Sequence, residues 1–338
     1  MGTPLVSVII PAYNAEGTIL ETIASVRAQS HANLEILVID DGSTDATVAR
    51  VRSVDDPRLR VFPYPHAGLA AARNRGFERS TGAFVSFIDA DDLWTQDKLT
   101  AQLDALERHP EAGLAYSWTI FVDPDGHFLF AKERLYFEGD VRLPLLRECF
   151  IASGSNVLLR RRCVESVGPF HGEAALRSAE DWDYWLRAAV AWPFAVVPRY
   201  QILYRVWPGS MTSDVEGMES ACLAVLERAL ACAPDDLRRR RREYQANVKH
   251  YASFLHLTRS PRGERRKVAG RKLLEAIRLH PAIVARRKTF VLLCTWTLLG
   301  LVPRALAPRA MTALLRLHGR IMALLVPELR EGTIAARR

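Results

Sequence analysis

The sequence predicts an α/β fold: a mostly parallel sheet with helices on both faces, followed by a region that is nearly all helix. Three observations carry this. Short apolar runs alternate with helical patterns through the first hundred residues. The runs "LVSVII", "LEILVI" and "AFVSFI" are apolar almost throughout rather than at every second position, as strands covered on both faces are. After about Asp214 strand patterns cease.

The elements follow in order. "LVSVII" (5–10) reads as a buried strand and Glu16 to Gln29 as a helix. "LEILVI" (34–39) is the second strand. A helix starts near Thr44, where Ser43 or Thr44 can cap and Asp45 suits the positive helix end. "RLRVF" (58–62) is a strand, Gly68 to Glu78 a helix, "AFVSFI" (83–88) a strand, Thr95 to Arg108 a helix and "GLAYS" (113–117) a strand. From about 118 to 215 the pattern loosens. Short strands "TIFV" and "HFLF" flank the hairpin signal Asp123-Pro124-Asp125-Gly126, "SNVLL" (155–159) reads as a strand, and "AEDWDYWLRAAV" (179–190) opens a helix.

Composition narrows the class. The 338 residues are 49% hydrophobic and 25% charged, enough for one large domain or two smaller ones. Five scattered cysteines without a CxxC pair read as small core residues in a reducing compartment, and no signal-peptide pattern opens the chain. The net charge of +8 hides a split. Residues 1–237 hold 22 Lys/Arg and 33 Asp/Glu, whereas residues 238–338 hold 24 and 5. The basic part favours an anionic surface. It carries few aromatics and no nucleic-acid motif, which points to a membrane and not to nucleic acid.

The chemistry concentrates at strand ends. "FVSFIDADDLW" (84–94) runs from a strand into Asp89, Asp91 and Asp92. In open α/β sheets ligands bind at the carboxyl ends of strands. Crowded carboxylates there repel one another unless a divalent cation joins them, and Mg2+ or Mn2+ takes carboxylates together with substrate phosphate oxygens. As ordinary residues they would cap a helix starting near Trp94. "VIDDGSTDAT" (38–47) brings Asp40 and Asp41 to the same edge, where a carboxylate can accept the N–H of a pyrimidine base; turn and cap roles are the plain alternative. "PAYN" (11–14) offers Tyr13 as a wall for a ring. "GLAAARNRG" (68–76) offers Arg73 at the start of a helix, within reach of base, ribose or phosphate.

Taken together, "VSVIIPAYNAEGTI", "VIDDGSTDAT", "GLAAARNRGF" and "FIDADD", in that order and spacing, resemble the nucleotide-sugar-binding half of a family 2 glycosyltransferase of the GT-A fold. The resemblance covers residue 5 to about 210. It implies a catalytic domain over 1–215, with its nucleotide-binding half to about 117 and its acceptor-side half from 118, and a separate basic helical region over 216–338. It further implies that Pro11, Tyr13 and Asp41 hold a uracil with Asn14 and Arg73 nearby, that Asp89 meets ribose or metal, and that Asp91 ligates Mn2+ or Mg2+ against the donor diphosphate. "SAEDWDYWLRAA" resembles the family's Glu-Asp pair, which makes Asp181 the base and Glu180 its supporting or acceptor-binding neighbour. An inverting displacement needs one carboxylate opposite the leaving diphosphate, and no covalent intermediate.

"YRVWPGSMTSD" (204–214) resembles a family segment that closes over the diphosphate, with Trp207 where that pattern has His. Arg205 and Ser210 are candidate diphosphate partners, and Trp207 a wall of the sugar pocket. "SGSNVLLRRR" (153–162) places Ser155 and Asn156 near donor sugar or acceptor, with Arg160 to Arg162 read as a solvated turn. Trp182 reads as core that can also meet the sugar, and His31, His66, His109, His127 and His171 fit no metal spacing.

The implied reaction is metal-dependent, inverting transfer from a UDP-sugar to a glycan or lipid-linked acceptor. Other classes fit less well. A haloacid-dehalogenase-like phosphatase wants a DxDGT loop, a nucleotidyltransferase a basic Gly-rich loop after the first strand, and a dehydrogenase GxGxxG; intact Asp91 and Asp181 argue against a non-catalytic sugar-nucleotide-binding scaffold. In the tail, "FVLLCTWTLLGLV" (290–302) is too short to span a bilayer, and "RAMTALLRLHGRIMALLV" (309–326) is amphipathic. The expectation is a cytoplasmic protein held at the inner face of the membrane.

Overall fold

The computed structural model describes residues 2–207, 214–258 and 264–301. Ser210 and the amphipathic segment 309–326 lie outside the described residues.

Strands β1 (Val6–Ala12) and β2 (Leu34–Asp40) are buried at all seven of their positions, so their sequences run apolar instead of alternating. With β3 (Leu59–Pro63) and β4 (Phe84–Phe87) they form a parallel set in the order β3-β2-β1-β4. Helices α1 (Ile19–Arg27), α2 (Thr47–Arg52) and α3 (Leu69–Arg79) make the crossovers. Helix α3 lies so close to the sheet that a Cβ on Gly76 would sit 2.2 Å from Ile9 Cγ2. Gly76→Ala is therefore expected to cost about 1–3 kcal/mol through overpacking, read as a lowered midpoint in thermal or urea denaturation.

Beyond β4 the sheet becomes mixed. The short β5 (Leu93–Trp94) precedes α4 (Lys98–Arg108), and β6 (Leu114–Val122) forms a hairpin with β7 (Phe128–Ala131) across the expected turn. Helix α5 (Arg142–Arg147) leads to β8 (Leu158–Arg160), which is antiparallel to both β4 and β6. Then come α6 (Arg161–Val167), α7 (Glu180–Ala191) and β9 (Phe194–Arg205), the last parallel to β6 and antiparallel to β5.

Several expectations are corrected here. "GLAYS" and "TIFV" are one strand, β6. Its polar Ser117 is buried because its N–H donates to Asn156 Oδ1 (2.7 Å) and its hydroxyl to Gln201 Oε1 (2.7 Å). The sequence does not announce the twelve-residue β9, whose Pro198 argues against a central strand. The register shifts between Tyr116 and Trp118, where β9 passes Pro198 in a bulge. Helix α4 starts at Lys98, not near Trp94 or Thr95, because Trp94 turns fully into the core and donates to the Ser155 carbonyl (2.7 Å). Arg160 and Arg161 are no solvated turn. Arg160 donates to the carbonyls of Ala112 and Leu106, Arg161 to the Gly82 carbonyl.

The C-terminal part is helical as expected: α8 (Val215–Ala231), α9 (Asp235–Arg238), α10 (Arg241–Thr258), α11 (Glu264–Leu279) and α12 (Arg287–Leu301). Ala221, Val225 and Leu226 of α8, with Tyr244 and Val248 of α10, share one apolar cluster with Trp182, Tyr184 and Trp185 of α7. The core thus runs across position 215, while α11 and α12 pack through a smaller cluster around Leu273 and Leu292. Among the described residues no helix is long and apolar enough to cross a membrane.

Candidate active site

A crevice opens where the strand order reverses. β4 pairs with β1 only from Val6 to Ile9, while β1 continues along β2 to Ala12. Past Ile9 the two strands part, at the switch point where open α/β sheets bind ligands. The Ile9 carbonyl faces β4 and accepts the Ile88 N–H (3.0 Å). Pro11, two residues on, faces the same side, where β4 has ended and its missing N–H leaves no ladder bond unmade.

The loops after β1 and β2 are laced together. Asn14 takes φ 48°, a region Asn tolerates better than most residues. Its Oδ1 accepts the Thr44 N–H (2.8 Å) and its own N–H donates to Ser43 Oγ (2.9 Å). The Ala15 N–H donates to Thr47 Oγ1 (2.8 Å). Ser43 and Thr44 are spent on this link, so α2 begins at Thr47 and not at Thr44.

Asp41 is 3% exposed. Its carboxylate accepts the N–H groups of Ala67 (2.9 Å) and Gly68 (2.7 Å), with Arg75 (3.2 Å) and His66 Nδ1 (2.9 Å) beside it. It ties the end of β2 to the start of α3. The His66 ring lies 4.5 Å from that of the half-exposed Tyr13. His66, assigned no role from sequence, thus pairs with Tyr13.

Arg73 is the hub. It is 1% exposed, donates to Asp89 Oδ1 (2.9 Å) and Glu180 Oε1 (2.7 Å), and lies over the Phe170 ring. Burial alone would lower its pKa; Asp89, Glu180 and Asp181 outweigh burial and raise it. A Cβ on Gly154 would come 2.4 Å from the guanidinium, so only glycine lets this segment pass. Nearby Ala152 and Ser178 take φ of 74° and 75°, strain stored on the segments leading to residues 153–156 and to α7.

The three aspartates after β4 divide. Asp92 is 1% exposed. It accepts the Ser155 hydroxyl (2.6 Å) and the Arg205 backbone N–H (3.0 Å), and its carbonyl accepts the Thr22 hydroxyl (2.9 Å). Burial, then Asp91 and Asp89, push its pKa well up. Asp92 binds four segments together, a role invisible in the sequence because its partners are 63 to 113 residues away. Asp91 is pushed up to about 6 by burial and by Asp89. Among the described residues no side chain donates a hydrogen bond to it.

Across Arg73 from Asp89, the first turn of α7 carries Glu180 and Asp181. Asp181 accepts the Trp182 N–H (2.7 Å), and burial and Glu180 push its pKa up to about 7 against the pull of Arg73.

Other predicted residues lie differently. Ser155 and Asn156 are fully buried. Ser155 accepts the Asp89 N–H (3.0 Å), and the Asn156 amide donates to the carbonyls of Ser117 and Ile151. Trp182 is core, donating to the Leu145 carbonyl (3.0 Å). Arg205 turns its guanidinium to Glu21 (2.6 Å) and the Pro124 carbonyl (3.1 Å). Trp207 is half-buried at the end of the described stretch. The closest group of three ligating side chains among the described residues is Asp123, Asp125 and His127, outside the crevice in the β6–β7 turn. There Asp123 Oδ1 already accepts the N–H groups of Asp125 and His127.

Residues 7–254 match the family model described as "Glycosyltransferase like family 2". The chain belongs to glycosyltransferase family 2. An uncharacterized glycosyltransferase of Rickettsia felis is 35% identical over 188 residues, 54% of this chain and 30% of that one. The UDP-Glc:alpha-D-GlcNAc-diphosphoundecaprenol beta-1,3-glucosyltransferase WfgD of Escherichia coli is 43% identical over 103 residues, 30% of this chain and 41% of that one. The chain thus matches less than half the length of either relative. Among solved structures, S. aureus TarS 1-349 in complex with UDP-GlcNAc superposes with a TM-score of 0.60 at 18% identity, over 86% of this chain and 90% of that one. The mannosyltransferase PcManGT of Pyrobaculum calidifontis, in complex with GDP-Man and Mn2+, gives 0.55 at 20%, over 95% and 87%. The family 2 chain has the GT-A architecture: a mostly parallel, curled sheet flanked by helices, with further helices at its C-terminal end.

Proposed function

We propose that this family 2 glycosyltransferase moves a sugar from a UDP-sugar, with inversion and with a divalent cation, to a hydroxyl of a glycan or lipid-linked acceptor at the cytoplasmic face of a membrane. One observation carries the reading. Arg73 joins Asp89 at the strand end after β4 to Glu180 of the helix that bears Asp181, which supports a metal-binding carboxylate pair and a base acting on one bound donor. A hexosyl or N-acetylhexosaminyl donor is supported by the relative named for UDP-Glc and the fold neighbour bound to UDP-GlcNAc.

The residues fit a hard divalent ion such as Mn2+ or Mg2+. Asp91 is held beside Asp89 with its pKa raised, and the cation that acts on it, Arg205, is committed to Glu21. In this reading Asp91 and Asp89 hold the ion, which would offset charge developing on the leaving diphosphate. Tyr13 and His66 wall the base. Asp41 holds the His66–Gly68 turn against that wall and meets the base N–H in place of its longest contact, Arg75. Arg73 holds the Asp89 and Glu180 carboxylates in place. Asp181 takes the acceptor hydroxyl proton on the face opposite the diphosphate. Ser210 is a candidate for closing over the diphosphate and Trp207 for the sugar wall, and Arg205 joins them only by exchanging Glu21 for the diphosphate.

Asp91→Ala is expected to abolish manganese-dependent donor binding, measured by calorimetry across UDP-glucose, UDP-galactose, their N-acetylated forms and dTDP-sugars, with circular dichroism unchanged. Undiminished manganese-dependent binding by this variant overturns the assignment.

A further inference from the structure

Among the described residues, helix α12 is packed on one of its faces. Thr289 and Leu292 are buried, and Leu293, Trp296 and Leu299 pack toward α11 and α10. The opposite face carries Arg287, Phe290, Val291, Cys294, Leu298 and Leu301, spaced three and four apart along one stripe. Phe290, Val291, Leu298 and Leu301 are 65%, 54%, 51% and 79% exposed. Four large apolar side chains exposed in one row mark an interaction surface.

Its neighbour α11 supplies the charge. The two helices lock where Trp296 Nε1 donates to the Arg266 carbonyl (2.9 Å) and the Arg266 guanidinium lies over the indole. The solvent face of α11 carries Lys267, Arg271 and Arg278 around the half-exposed Leu274. Among the described residues only Arg271 has an acidic neighbour, Glu275 at 3.9 Å; Lys267, Arg278 and Arg287 have none.

We infer that α11 and α12 form a docking surface for an anionic lipid bilayer. Phe290, Val291, Leu298 and Leu301 enter the boundary between headgroups and acyl chains, and Lys267, Arg278 and Arg287 meet lipid phosphates. Length and charge select this occupant. Fifteen residues of helix reach about 22 Å, against about 30 Å of bilayer core, so α12 lies in the surface rather than across it. A second copy of the chain on the same stripe would set these unpaired cations against their own kind, whereas anionic lipid compensates them. The inference deepens the membrane-borne acceptor of the proposed function, but it stands on separate residues and its test needs no sugar transfer.

Cys294 lies in the middle of the stripe and reports on it. Among the described residues the other exposed thiol is Cys232, so the full chain carrying Cys232→Ser serves as the probe. It is mixed with vesicles of phosphatidylcholine and phosphatidylglycerol in equal parts, or of phosphatidylcholine alone. The expected result is co-sedimentation with the anionic vesicles only, weakened by salt, and alkylation of Cys294 by a water-soluble maleimide slowed at least about tenfold on them. Phe290→Glu with Leu298→Glu, both exposed positions, should keep the circular dichroism spectrum and lower vesicle partition by more than about tenfold. Four results each overturn the inference. One is Cys294 reacting equally fast in vesicle-bound protein. Another is Cys294 already protected without vesicles, which means a second copy or another chain segment covers the stripe. The others are undiminished binding by the double variant and no binding to either vesicle.

Discussion

Asp181→Asn is expected to bind donor as the parent chain does and to transfer sugar about 10²–10⁴-fold more slowly, the range a positioned general base contributes. Asparagine keeps the shape of the side chain and an oxygen for the Trp182 N–H, while Arg73 keeps Asp89 and Glu180. Only the proton acceptor is lost. The pH profile gives a second readout. Burial and Glu180 push the Asp181 pKa up to about 7, and the carboxylate must be ionised to accept a proton. kcat/KM should therefore fall on the acid side of about 7, roughly tenfold per pH unit, and the residual activity of the variant should lack that limb. Single-turnover assays with saturating donor separate the chemical step from binding. Full turnover by Asp181→Asn would remove the base assignment.

Arg73→Met should be the most damaging single change to stability within the site. Its cation is fully buried and compensates Asp89, Glu180 and Asp181, and removing one member of a buried ion pair costs about 3–5 kcal/mol. The loss has a signature in pH. Burial and Glu180 push the Asp181 carboxyl up to about 7 against the pull of Arg73, and without the guanidinium it rises further above its unfolded value. Its protonated form suits the fold, and the protein loses stability as pH rises through that folded value. The difference in urea-unfolding free energy from the parent should thus be larger near about pH 8 than near about pH 5. A pH-independent difference would mean that Arg73 acts through packing on Phe170 alone. Arg73→Lys is expected to fall short of rescue, because one ammonium cannot keep the planar two-way bridge to Asp89 and Glu180.

Much of the fold was legible because it rests on local regularities. β1 and β2 are covered on both faces and read as unbroken apolar runs; α7 reads as a helix with an acidic first turn. The strand ends that carry Tyr13, Asp41 and Asp89 could be placed at one edge because parallel strands share a direction. The missed features depend on partners far along the chain. β9 contains Pro198, tolerated only through a bulge against β6. Ser155 and Asn156 look like pocket residues until Asp92, Ser117 and Ile151 take their polar atoms. Arg205 looks free for a diphosphate until Glu21, 184 residues away, accepts it. His66 has no motif around it and gains its place only when Asp41 draws it beside Tyr13.

The sequence by itself determined the α/β class, the edge of the sheet that carries the site, the basic helical end and the family resemblance. Each is written in periodicity, charge and short spacing, which neighbouring residues impose on one another. Only the tertiary structure decided which carboxylates face the crevice and which are buried as braces, that Arg73 joins Asp89 to Glu180, and that α12 leaves an apolar stripe in solvent. Those outcomes depend on which distant donor reaches a buried charge first. A buried polar group must be satisfied by whatever the fold brings within about 3 Å, and no local pattern encodes that partner.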